Sequence, residues 1–148
     1  MAFSLFYLTF AQNKNDMEEP RIINLPKIID RRGNLSFAEE EAHVPFKIAR
    51  TYWIYDVPGG ERRGGHAYWR NCEFIVALSG SFDVILDDGN GPKTFHLNRS
   101  YYGLYVPCGW WREMGNFSTN SVGVVFASMP YTPSDYNYDY ETIKDMKR

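Results

Sequence analysis

A chain of 148 residues and 17.2 kDa has the size of one ordinary domain. Hydrophobic residues at 44% and charged residues at 23% exclude general disorder, and a formal net charge of −2 offers no basic field to nucleic acid. Two cysteines, Cys72 and Cys108, are too few for a disulfide framework and lack zinc-binding spacing, so they read as reduced cytosolic thiols; no apolar run approaches the ~18 residues of a membrane span.

The opening MAFSLFYLTF is apolar but has neither a basic start nor a small-residue cleavage site, which argues against a signal peptide. AQNKNDMEEP reads as a polar linker. Residues 1–20 are therefore an N-terminal extension, and the folded domain is expected over 21–148. Arg21–Asp30 is β-rich, with Pro26 suited to an edge, and Asp30–Asn34 is turn-like. Lys47–Val57 predicts a long strand with Ile48, Arg50, Tyr52 and Ile54 on one face. A glycine-rich, basic loop, Pro58–Gly65, precedes strands at His66–Arg70, Glu73–Ser79 and Ser81–Asp87. Asp88-Gly89-Asn90-Gly91 is a hairpin signal. Further strands are predicted near Lys93–Leu97, Tyr101–Val106, Trp110–Met114 and Ser121–Ser128. Ser134 reads as an N-cap with Asp135 in the first turn, and Tyr136, Tyr140 and Ile143 then recur at helical spacing. Nine or ten short strands, with aromatics at 17% to fill pleated faces, imply an all-β sandwich or barrel-like jelly roll.

Two segments carry the candidate chemistry. One is Gly60-Glu-Arg-Arg-Gly-Gly-His66-Ala-Tyr68-Trp-Arg-Asn-Cys-Glu73, with Gly80 beyond it; the other is Pro107-Cys-Gly109-Trp-Trp-Arg112-Glu-Met-Gly-Asn116. They resemble the paired cupin motifs in glycines, proline, spacing and the closing Asn116. Tyr68 stands where the second motif histidine is expected, and Arg112 where the third is. Residues i and i+2 of a strand face the same way, so His66 and Tyr68 point into one interior. A guanidinium has no lone pair to offer a metal at neutral pH. The set therefore predicts no metal and no cofactor, and an anionic or oxygen-rich organic ligand instead. His43 and His96 lie outside both motifs and read as structural.

Longer stretches resemble a narrower family. Ile28–Leu35, Arg63-Gly64-Gly65-His66-Ala67, Leu78–Gly89, Tyr102–Val106, Trp111–Met114, Asn116-Phe117-Ser118 and Ser134-Asp135-Tyr136 are similar to the dTDP-4-keto-6-deoxyhexose 3,4-ketoisomerases, the small metal-free cupins of deoxysugar pathways. The likeness spans roughly Arg21 to Tyr140. It implies a cupin-type jelly roll (a double-stranded β-helix) with a short C-terminal helix. It also implies a dTDP-linked keto-sugar as substrate, a cytoplasmic setting, and a homodimer with exchanged N-terminal strands.

Moving a ketone from C4 to C3 needs a base at C3, an enediol, and reprotonation at C4. Histidine suits the base because its pKa lies near neutrality, whereas a tyrosine at about 10 is a proton donor. His66 and Tyr68 are thus the candidate catalytic pair, although Tyr68 reads equally as a pocket-wall aromatic. The family histidine that Tyr68 replaces also leaves a second reading, a nucleotide-sugar-binding cupin with lost or altered catalysis. Arg32 and Arg63 match family positions and suit a diphosphate. Tyr52 and Tyr105 suit stacking or sugar contacts. Glu73, if buried, needs a partner such as Arg112 or His66.

Overall fold

The computed structural model describes residues 18–146; the apolar opening and most of the polar linker lie outside them. Twelve strands and one short helix follow in order: β1 (Arg21–Asn24), β2 (Lys27–Ile28), β3 (Leu35–Ser36), β4 (Arg50–Ile54), β5 (Arg63–Tyr68), β6 (Glu73–Ser79), β7 (Phe82–Asp87), β8 (Pro92–Leu97), β9 (Tyr102–Val106), β10 (Trp111–Gly115), β11 (Val122–Ala127), β12 (Tyr136–Asn137) and α1 (Tyr140–Asp145). All strand pairing within the sheets is antiparallel. One sheet runs β1-β9-β6-β11-β4, the other β12-β5-β10-β7-β8, and β2-β3 form a separate small hairpin.

Alternating side chains of both large sheets meet between them. Ile75, Ala77, Leu104, Val106 and Val125 of the first sheet pack on Phe82, Val84, Leu86, Leu97 and Met114 of the second, with Trp110. Shared residues across two antiparallel sheets make this the expected all-β jelly roll. The other face of the first sheet is also covered. Phe74, Val76 and Tyr105 pack against Val44, with Phe46 and Ile48 of the preceding segment alongside. Strand β6 therefore buries both of its faces from Phe74 to Ala77, which explains the unbroken apolar run there.

Two local expectations change. Ser134 and Asp135 belong to a 3-10 turn, Pro133–Asp135, not to the start of the helix, and Tyr136 is on a strand. The reason is polar. The buried Asp135 carboxylate accepts the backbone N–H groups of Arg70 at 3.0 Å and Asn71 at 2.9 Å, and this brings Tyr136 and Asn137 into register with Tyr68 and Ala67. The helix begins only after Asp139, whose side chain caps the Glu141 N–H.

The second change is that β5 begins at Arg63, inside the segment read as a loop. Arg112 is opposite His66 but Glu113 is opposite Gly64, so Gly65 is an extra residue, a β-bulge. Gly64 has φ of +93°, and a Cβ there would meet the Arg112 carbonyl oxygen at 2.8 Å, so only glycine fits. Without the bulge, period-two alternation would put Arg63 on the face opposite His66 and Tyr68; with it, all three serve one interior.

Candidate active site

A cavity of about 630 Å3 opens between β4 of one sheet and β5 and β12 of the other. Its walls come from Arg50, Tyr52 and Ile54 of β4, Arg63, His66 and Tyr68 of β5, and Glu73 and Ile75 of β6. Arg112 and Met114 of β10 and the C-terminal tyrosines Tyr131, Tyr136 and Tyr138 complete them. Three arginines against one carboxylate leave the lining positive, as an anionic ligand requires.

Arg112 is 3% exposed and poorly satisfied. Its Nη2 donates to the Trp110 carbonyl at 3.4 Å and its Nη1 lies 3.5 Å from Glu73 Oε1, while Nε and Nη1 have no hydrogen-bonded partner among the described residues. The guanidinium stands 4.6 Å over the Tyr68 ring. Glu73 is better served: Tyr52 donates its hydroxyl at 2.8 Å and Asn71 Nδ2 donates at 3.3 Å. A buried carboxylate held by three neighbours orders the cavity floor and leaves Arg112 with capacity to spare.

His66 is packed by aromatic edges. Tyr68 is 4.9 Å and Tyr136 5.0 Å away between ring centroids, and its Nε2 is buried without a partner among the described residues. Burial, then the Arg112 charge, push His66 down to about 4, against a backbone hydrogen bond at Gly64 that favours the charged form. The imidazole is thus neutral at pH 7. Burial, followed by the Glu73 charge, holds the Tyr68 hydroxyl well above the usual tyrosine range, and the same causes act on Tyr52. Both phenols stay protonated, Tyr52 donating to Glu73 and Tyr68 hydrogen-bonded to Tyr136.

Six of the eight expected residues meet here: His66, Tyr68, Tyr52, Arg63, Glu73 and Arg112. Tyr105 does not. It alternates with inward-facing Leu104 and Val106, so it faces the second apolar cluster, with Arg21 4.7 Å over its ring. Arg32 does not line the cavity either; it sits on an exposed turn, in an ion pair with Asp30 at 2.8 Å. His43 and His96 lie elsewhere, His96 Nδ1 being 2.6 Å from Asp83. Among the described residues no three His, Cys, Asp or Glu side chains gather in a metal-binding group.

A protein-family model described as WxcM-like, C-terminal, matches residues 18–148, which include every cavity residue. The chain belongs to this family. A TDP-4-oxo-6-deoxy-alpha-D-glucose-3,4-oxoisomerase of Aneurinibacillus thermoaerophilus is 44% identical to the WxcM-like chain over 126 residues, 85% of this chain and 91% of that one. A 3,4-ketoisomerase of Helicobacter canadensis superposes with a TM-score of 0.83 at 35% identity, over 86% of this chain and 96% of its own. A sugar 3,4-ketoisomerase of Thermoanaerobacterium thermosaccharolyticum, solved in complex with TDP, also gives 0.83, at 32% identity over 85% and 92%.

Sequence reasoning missed Arg50, Tyr131, Tyr136 and Tyr138 as cavity residues of this WxcM-like protein. Arg50 lies on the same strand face as Tyr52, a usable signal, and stands 5.4 Å over that ring with Nε buried and unpartnered among the described residues. The tyrosines gave no local signal, because the Asp135 contacts that bring them back to β5 span 64 residues or more of chain.

Proposed function

We propose that the chain isomerises a TDP-linked 4-keto-6-deoxyhexose to its 3-keto form, with His66 as the base. The carrying observation is the neutral, unpartnered Nε2 of His66 in a cavity that it shares with the under-bonded Arg112 guanidinium. The kinship with sugar 3,4-ketoisomerases supports the same reading.

His66 removes the C3 proton, which the C4 carbonyl acidifies. The negative charge that develops on oxygen is stabilised by Arg112 and by a hydrogen bond from Tyr68, both aimed into a site of low dielectric. The imidazolium formed in this step then delivers the proton to C4, completing the exchange. Arg50 and Arg63 at the cavity wall suit the diphosphate. The half-exposed aromatics Trp53, Tyr55 and Tyr138 at the opening suit the flat base.

Incubation with TDP-4-keto-6-deoxyglucose in deuterated water tests this. Deuterium should enter at C3 or C4 and the 3-keto sugar should accumulate, by proton NMR. Binding without either change would establish the second reading, a ligand-binding cupin without isomerase chemistry, which Tyr68 in place of the family histidine favours.

The catalytic unit in this reading is 21–148. A homodimer fits the surface. Ile22, Ile28, Ile29, Leu35 and Phe37 are exposed on the N-terminal arm, and β4 ends its sheet with an edge unpaired among the described residues. The unlinked thiols suit a cytoplasmic setting.

A further inference from the structure

Cys72 and Cys108 play no part in the cavity. Cys72 immediately precedes β6, and Cys108 lies in the turn from β9 to β10. Glu73 is paired with Val106, so the end of this antiparallel ladder carries Cys72 alongside the Pro107–Cys108 turn. The two thiols are in hydrogen-bond contact with each other, the Tyr105 hydroxyl joins them, Glu18 is close by, and the Cys72 Sγ also lies 3.9 Å from the Arg70 carbonyl, to which it can donate. Both are half-buried and unlinked. The hydrogen bond from Cys108 brings the Cys72 thiol down to about 6, and Cys72 in turn pushes Cys108 up. Asp135 and Arg112 also act on Cys108, in opposite directions. The contact favours loss of one proton from the pair, with Cys72 the member shifted toward the thiolate. This is the arrangement of an attacking cysteine beside a resolving one.

We propose that Cys72 and Cys108 form a redox-active dithiol that closes to an intramolecular disulfide on exposure to hydrogen peroxide. The Cys72 thiolate attacks one peroxide oxygen, the O–O bond breaks, and hydroxide leaves, so Cys72 becomes a sulfenic acid. Cys108 then attacks the Cys72 sulfur as it gives up its thiol proton. The S–O bond breaks, and the departing hydroxide takes that proton as water. The pair is oxidised by two electrons, and one peroxide is reduced to one water and one hydroxide. The new bond would join two segments that hold the active site. The Gly109 N–H, next to Cys108, donates to the Tyr68 carbonyl at 2.8 Å; Asn71, next to Cys72, donates its side-chain amide to Glu73.

The full chain is reduced, freed of reductant, and treated with a few equivalents of hydrogen peroxide. Intact mass should fall by two hydrogens, both thiols should become inert to a maleimide, and dithiothreitol should restore them. A non-reducing peptide map should link Cys72 to Cys108 within one chain. In Cys108→Ser, Cys72 should instead be trapped as a dimedone adduct of the sulfenic acid. The proposal is overturned if the wild type keeps both thiols, gains oxygen without a link, or links only between chains. The wild-type map decides this by itself if the variant does not fold.

Discussion

The two sides of the inter-sheet interior are built from the same two sheets and filled in opposite ways. Where β8 meets β9 the interior is closed: Phe82, Val84, Leu86, Leu97, Leu104 and Val106 pack with essentially no exposed surface and carry no polar side-chain atoms. Between β4 and β5 the same two sheets stay apart around the cavity. There the inward positions are Arg50, Tyr52, His66, Tyr68, Glu73 and Arg112, and His66, Arg50 and Arg112 keep buried nitrogens without hydrogen-bonded partners among the described residues. Each such nitrogen costs stability of roughly 1–3 kcal/mol. A protein tolerates that where a ligand completes the bonding. The closed side supplies the folding free energy that holds the open side in its unsatisfied state.

Exchanging damage between the two sides would break this division. On the open side, His66→Asn removes the base while keeping a polar side chain of similar size. Turnover on the keto-sugar should fall at least ~10²-fold, the usual scale for a general base, with TDP affinity and melting temperature nearly unchanged. Full turnover in this variant would remove His66 from the mechanism. On the closed side, Leu86→Ala leaves a cavity in a fully packed layer and should cost about 2–5 kcal/mol in urea unfolding. Turnover per folded molecule should hold. If Leu86→Ala instead changed KM while leaving stability intact, the closed side would be part of the site.

How much of this was legible follows from the range of each determinant. Strand alternation places His66 beside Tyr68, and motif spacing brings Arg112 opposite them; both are local patterns. Alternation also determines the inward face, but a sheet covered on both sides has two buried faces. A buried aromatic such as Tyr105 therefore reads the same whichever cluster it joins. Arg63 depended on a bulge that a pair of glycines permits but does not announce. Tyr136 depended on Asp135 reaching two backbone amides far back in the chain, so a helical periodicity that included Tyr136 yielded to a buried carboxylate's need for donors.

A smaller effect is expected at Tyr68. Tyr68→Phe removes one hydroxyl and keeps the ring that Arg112 covers. As a proton donor to the developing oxyanion, that hydroxyl should contribute about tenfold in turnover, the scale of one modest hydrogen bond, with KM unchanged. Unchanged turnover would make Tyr68 a wall of the cavity and sharpen the contrast to a single catalytic side chain, His66.

Titration separates the two sides by pH. His66 is the imidazole of the open side, and its folded pKa of about 4 lies below the unfolded value of 6.5. Between these values the unfolded chain binds more protons than the folded one, so protonation favours unfolding. This contribution to stability is fully present above pH 6.5, declines as pH falls through the window, and is gone below about 4. Asp30, held below its usual range by its hydrogen bonds from Arg32, adds its own loss at lower pH, so the wild-type curve alone does not isolate His66. The difference between wild type and His66→Asn does. Urea midpoints measured from pH 7.5 down to 4.5 should show the wild type losing stability faster than the variant, with the gap opening below pH 6.5. Leu86→Ala should instead run parallel to wild type at every pH, since it removes no titrating group. If the wild-type and His66→Asn curves are parallel, the imidazole is not held neutral by its surroundings, and the desolvated character of the open side is overstated.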